Sequence, residues 1–163
     1  MTDILQALTA SSLFHELSKA QCQAFVPLAH PQHVARGEYL FRLGQPAATL
    51  YVVRSGVVEL TMPLSMRNGE QEVTVEEARA GDTVAWSALI APYRFTMSAR
   101  AGDDVELLGF SSSDLRAALA AKPDVGLSIM ANLAQVIARR LQVTQVVWTR
   151  GLQRGVDVSL GAA

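Results

Sequence analysis

The sequence predicts a mainly β body, a sandwich or jelly roll of about seven or eight short strands, flanked by helices and closed by one long C-terminal helix. Three observations predict it. From His33 to about Phe110 apolar residues recur with a period of two, punctuated by Gly, Pro, Asn and Asp. Before His33 and after Ser111 the spacing is three to four, that of amphipathic helices. Half of the 163 residues are hydrophobic, enough for one domain with a real core and too few for a second full domain beside it.

Residues 1–30 read as helical, with Ile4, Leu5 and Leu8 on one face. Ser18 is placed to cap a helix from Lys19 to about Ala29, bent or ended by Pro27. The segment from Gly37 to Gln45 predicts a strand closed by a glycine turn. Thr49 to Leu60 predicts two β-branched strands hinged at Ser55-Gly56, where a positive φ costs any other residue more. Asn68-Gly69 supplies a hairpin turn, and Glu72 to Ala78 a strand whose acids Glu72, Glu76 and Glu77 form a solvated edge. Gly81-Asp82 opens the next unit: Val84 to Ile90 as one or two helical turns, Pro92, then an alternating strand from Phe95 to Ala101. Asp104 to Phe110 completes the sheet.

Ser111 to Asp114 is a run of capping residues starting a helix to Lys122, and Pro123 suits the start of the next. From there to about Arg150 the apolar stripe is Leu127, Met130, Leu133, Ile137, Leu141, Thr144 and Trp148, broadened by Val136, Val143 and Val147. About 28 residues at about 1.5 Å each span about 40 Å, longer than the small sheet can cover, so the surplus apolar face needs a partner. Arg139 and Arg140 are expected towards its edge. The domain is expected over residues 1–150, with a loose tail over 151–163.

The formal net charge of -1 supplies no basic field for nucleic acid. Cys22, the single cysteine, permits no intrachain disulfide and no paired-cysteine metal site. No apolar run approaches the roughly 18 to 20 residues that span a bilayer, and no basic leader precedes an apolar core. A cytoplasmic protein without membrane contact is expected. There is no GxSxG, no GxxxxGK[ST] and no metal-binding set: His15, His30 and His33 all precede the sheet proper, so the three-histidine site of a metal-dependent jelly-roll enzyme has no third ligand on a later strand. No catalytic residue, metal ligand or enzymatic activity is expected.

Gly81-Asp82, a short helix, Ala88-Leu89, an arginine and a closing strand with Thr96 and Ser98 resemble the phosphate-binding cassette of cyclic-nucleotide-binding domains, the sensor half of catabolite-activator and Fnr-type regulators. Gly37, Gly44, Tyr51 and Gly56 resemble that family's first two hairpins. The resemblance covers residues about 12 to 148. It implies a double-stranded β-helix (jelly roll) followed by a long C-terminal helix that pairs with its counterpart in a homodimer and closes over the ligand. No helix-turn-helix of roughly 50 further residues follows, so direct DNA binding is not expected.

The resemblance also shows departures. Where the family places Gly-Glu, whose carboxylate takes the ribose hydroxyl, this chain has Ala85-Trp86, and the family's phosphate-binding arginine aligns with Phe95 unless one residue is inserted to bring Arg94 there. An indole in place of the glutamate removes an acceptor and fills volume, which disfavours ordinary cyclic AMP or cyclic GMP. The expected reading is a stand-alone regulatory or sensor module with a degenerate cassette, binding a small anionic ligand or an altered nucleotide and signalling by helix movement to a regulatory protein partner. A genuine cyclic AMP or cyclic GMP-binding domain, with a cyclic nucleotide as ligand, is the weaker alternative. The expected ligand contacts are Val84, Ala85, Trp86 and Ser87 on the cassette turn, Arg94, Thr96 and Ser98 after it, and Leu133, Gln135 and Ile137 on the long helix. The competing reading is a ligand-free structural or interaction domain whose pocket is filled by Trp86 and Phe95.

Overall fold

The structure is a computed structural model that describes residues 2–66 and 69–159. Its chain order is α1 (Thr2–Thr9), α2 (Lys19–Gln23), strands β1 (His30–Val34), β2 (Tyr39–Phe41), β3 (Thr49–Ser55), β4 (Val58–Met66), β5 (Gly69–Ala78), β6 (Thr83–Val84), β7 (Ser98–Ala101) and β8 (Val105–Ser111), then α3 (Ser112–Ala121) and α4 (Pro123–Ser159). All strand pairings are antiparallel, in two four-stranded sheets of order β1-β8-β3-β6 and β2-β7-β4-β5. Chain-adjacent strands alternate between the sheets except at the β4–β5 hairpin, which is the doubly wound path of a jelly roll.

Both faces of the β3–β8 pair are covered. Leu50, Val52, Leu108 and Phe110 share one face, where Phe110 meets Phe14 of the N-terminal segment at 5.8 Å. Val53 and Leu107 lie on the other with Tyr51, which stacks on Phe41 of the second sheet, and Phe14 also packs edge-on to Phe25 at 5.2 Å. Leu5 and Leu8 of α1 are buried as their spacing predicts, with Ile4 half-buried beside them. Ser18 caps α2 with a reciprocal pair: its Oγ accepts from Gln21 N–H at 3.3 Å, and Gln21 Oε1 accepts from Ser18 N–H at 2.8 Å. The helix nonetheless stops at Gln23 instead of Ala29. Pro27 cannot donate to the helical ladder, and the chain continues as a 3-10 turn over Val26–Leu28. Pro31 is tolerated inside β1 because β1 is an edge strand.

Gly56 turns β3 into β4 with φ of 81°, and a Cβ there would lie 2.5 Å from the Asp104 carbonyl oxygen. The next hairpin pairs Met66 with Gly69, while Arg67 and Asn68, which carry the predicted Asn-Gly turn, lie outside the described residues. Edge strand β5 is acidic as predicted, but two of its acids are not simply solvated: Glu72 takes a hydrogen bond from the Tyr39 hydroxyl, and Glu76 is drawn towards α4.

Ser111 caps α3, and Pro123 opens α4, which passes so near α3 that a Cβ on Gly126 would lie 2.8 Å from the Leu119 carbonyl oxygen. The α4 helix has two faces. Val125, Ile129, Asn132 and Leu133 are buried against the body, and Asn132 Nδ2 donates to the carbonyls of Leu13 at 3.0 Å and His15 at 2.6 Å. Leu133, 1% exposed, therefore belongs to the chain's own core rather than to a partner-facing stripe. The outer stripe is Leu127, Met130, Ala134, Leu141, Thr144 and Trp148, with half-buried Ile137 between Ala134 and Leu141 packed against the core; Leu127 is 74% and Trp148 70% exposed. The helix also continues through Gly151 to Ser159 instead of ending near Arg150; residues 160–163 of the expected tail lie outside the described residues. No helix-turn-helix is present among the described residues.

Candidate functional site

The cassette is shorter in helix and strand than its sequence suggests. After the two-residue β6 the chain makes a single 3-10 turn, Trp86–Ala88, where a helix from Val84 to Ile90 was expected, and β7 begins only at Ser98 rather than Phe95. Ala85 enters that turn at φ 67°, in the left-handed region, at the position where the family resemblance places glycine. The turn is anchored from α3: Ser112 Oγ donates to the Ala88 carbonyl at 2.7 Å, and Arg116 Nη1 donates to the same oxygen at 3.3 Å while its guanidinium lies 4.3 Å over the Tyr93 ring.

Ala85, Trp86 and Ser87 of the cassette turn, Phe95, Thr96 and Met97 after it, Phe41 and Leu60 of the second sheet and Arg140 of α4 together line one recess. Its volume is about 10 Å³, about enough for one water. Much of the interior is taken by aromatic rings, with Phe41 and Phe95 stacked at 3.9 Å between centroids and 18° between planes. Trp86 is half-buried at the rim and packs against the core.

Of the residues expected to contact a ligand, the structure brings Ala85, Trp86, Ser87 and Thr96 together around this recess. Arg94 is not among the residues that line it. Exposed, it turns to the β2–β3 loop, where its Nη1 donates to the Gly44 carbonyl at 2.7 Å and its backbone bridges to Pro46. Thr96 and Ser98 do not share a pocket face, because Thr96 precedes the strand; the buried Ser98 Oγ accepts from Leu43 N–H at 3.0 Å. Val84 is buried in β6, Leu133 lies in the core and Ile137 packs against it. Gln135 lines a separate groove with Ser12, His15 and Arg139.

Arg140 is the residue the sequence reading placed elsewhere. Instead of standing at the helix edge, it is 12% exposed, and its Nε lies 2.6 Å from Glu76 Oε2, a charge pair that is not aligned as a hydrogen bond. A signal was available: Ile129, Leu133, Val136 and Arg140 follow one another by four, three and four residues, so Arg140 falls on the inward face. Among the described residues no group of three His, Cys, Asp or Glu side chains is placed to hold a metal ion, and no helix is long and apolar enough to cross a membrane.

Residues 31–122 match the family described as the cyclic nucleotide-binding domain, more than half of the chain. The chain belongs to that family. Among solved structures it is 27% identical to the catabolite activator protein of Thermus thermophilus, with a TM-score of 0.70 over 85% of this chain and 62% of that one. The N-terminal domain of a transcriptional regulator from Streptomyces coelicolor A3(2) gives 27% identity and a TM-score of 0.66 over 87% of this chain and 94% of that one. A cyclic nucleotide-binding domain from Methylobacillus flagellatus KT shares the fold at a TM-score of 0.76, with 20% identity, over 91% of this chain and 83% of that one. A curated relative, patatin-like phospholipase domain-containing protein 6 of Pongo abelii, is 33% identical over 121 residues, 68% of this chain but only 8% of that protein. The likeness therefore concerns a small part of a much longer chain. The two solved neighbours at 27% identity are a catabolite activator protein and the N-terminal domain of a transcriptional regulator, both regulatory proteins.

Proposed function

We propose that this cyclic nucleotide-binding domain is a regulatory module that takes a small anionic ligand or an altered nucleotide at the cassette recess and signals through α4. The observation that carries the reading is that one recess is lined jointly by the cassette turn, Ala85, Trp86 and Ser87, and by Arg140 of the long helix. A group bound there touches the sheet body and α4 together, so its binding free energy differs between helix positions, which is the requirement for a ligand to shift a conformational equilibrium. Ordinary cyclic AMP or cyclic GMP fits less well, since Trp86 offers no acceptor to a ribose hydroxyl. The exposed stripe of α4 supports a homodimer formed through that helix.

The small volume of the recess favours a second reading, a self-filled interaction domain without ligand. A thermal-shift and calorimetric screen of cyclic nucleotides, nucleoside monophosphates and small anions on the wild type and on Trp86→Ala, which opens the recess, separates the two. The expected result is a hit whose affinity changes in Trp86→Ala. Silence from both proteins across the panel leaves the interaction-domain reading in its place, and micromolar saturation of the wild type by cyclic AMP or cyclic GMP overturns the altered-ligand part of the proposal.

A further inference from the structure

The one cation lining the recess among the described residues comes from the long helix, not from the cassette loop. Arg140 is largely withdrawn from water, and its enclosed Nε has the Glu76 carboxylate within 2.6 Å without an aligned hydrogen bond. A desolvated guanidinium requires an anion, and an ill-aligned carboxylate meets the charge while leaving a donor unsatisfied. Glu76 is 26% exposed on edge strand β5, so it has water to return to when displaced.

We propose that Arg140 is the phosphate-recognising residue of this domain and that Glu76 is a built-in competing carboxylate that a phosphate-bearing ligand must displace. This rests on the reading of the recess as a ligand site. The guanidinium fork matches a phosphate monoester or diester oxygen pair, which Glu76 in its present alignment does not satisfy. The buried Ser87 and the rim residue Thr96 line the same recess and supply neutral hydroxyls, and the Trp86 indole supplies a flat surface for a planar base. A recess of about 10 Å³ admits no such ligand as it stands, so entry requires Trp86 to swing outward as well as the Glu76–Arg140 pair to part. Because Glu76 belongs to β5 and Arg140 to α4, the same exchange removes a tie between the long helix and the sheet.

The test is a titration of inorganic phosphate, cyclic AMP and cyclic GMP at matched chloride strength, followed by calorimetry and by Trp86 emission in a Trp148→Phe background. It compares the unaltered pair with Glu76→Gln, Arg140→Gln and Arg140→Lys. Glu76→Gln is expected to bind at least about tenfold more tightly than the parent, Arg140→Gln to lose binding and Arg140→Lys to keep a weakened site. Saturation by inorganic phosphate alone identifies a free anion as sufficient, and saturation only by the cyclic nucleotides identifies the ester. Parent binding that is unchanged in both Glu76→Gln and Arg140→Gln overturns the role of the pair while leaving the regulatory reading intact. No response from any protein, Glu76→Gln included, overturns the phosphate role of Arg140, while the regulatory reading stands or falls on the wider ligand panel. Should Arg140→Gln fail to fold by circular dichroism, the Glu76→Gln comparison alone decides.

Discussion

Ala85 holds φ at 67° in the turn that enters the recess, a conformation that costs an L-residue with a Cβ roughly 1–2 kcal/mol. Ala85→Gly relieves that strain and adds backbone freedom to the unfolded chain, so a net stabilisation of about 0.5–1 kcal/mol is expected in urea unfolding. Destabilisation instead would mean that the methyl group, 5% exposed, contributes more by packing than its backbone costs. Tyr39 and Glu72 form a second local device, on the outer face of the sheet. The hydroxyl holds the Glu72 carboxyl below its ordinary value of 4.5, and Glu72 in turn raises the Tyr39 phenol. A carboxyl whose folded pKa is depressed contributes stability above its unfolded pKa and loses it as pH falls through the folded one. The stability difference between wild type and Tyr39→Phe is therefore expected to be constant near neutrality and to shrink as pH falls below about 4.5 in acid-range urea titrations. A difference independent of pH would place the role of Tyr39 in ring packing alone. Residue identity made the loss of the family glutamate at Trp86 legible in the sequence. It did not reveal that Arg94 bonds the Gly44 carbonyl, because a loop arginine has no period to fix its direction.

The helix α4 is a two-faced element, and each face has its own dependence. The inward face is held by Leu133 and by Asn132, whose amide serves two carbonyls of the N-terminal segment. Leu133→Ala is expected to cost about 2–5 kcal/mol. Asn132→Ala is expected to cost about 1–3 kcal/mol by leaving both acceptors short of a partner. Equilibrium unfolding checks both values; a cost below 0.5 kcal/mol at either would mean that the N-terminal segment is held chiefly by other contacts. The strands and their turns were readable because a period of two and positive-φ glycines such as Gly56 leave marks in any sequence. The cassette helix was over-read because Val84 to Ile90 is apolar throughout, and a short apolar run does not separate a strand end plus a 3-10 turn from a helix. The sequence puts Leu133 on the outer stripe for a related reason: Leu133 and Ala134 are both apolar, and only the packed body decides which of two neighbouring faces turns inward.

At the scale of the molecule, two sheets make a closed body and leave a helix that extends well past it, with an apolar stripe in water. Such a stripe predicts self-association. Sedimentation of the wild type is expected to show a dimer at micromolar concentration, and Leu141→Glu combined with Trp148→Glu a folded monomer; a monomeric wild type would remove the homodimer proposal. The fold as a whole was legible from the switch of period at His33 and again at Ser111, together with the resemblance of the cassette. The recess was not, since Arg140, which lines it, and Glu76, which pairs with Arg140, stand 64 positions apart in the numbering, on elements that only tertiary packing brings within 2.6 Å.

The contact at Arg140 also sets a mechanical ratio. Asn132 and Leu133 pin the helix just before it, and the 19 residues from there to Ser159 reach about 28 Å outward at about 1.5 Å each. Pivoting at that point by about 10° sweeps the far tip through about 5 Å, a displacement on the order of one helical turn. Under the proposed reading, an ångström-scale event beneath Trp86 is enlarged at a distance, and a partner that responds to it has no need to sit beside the recess.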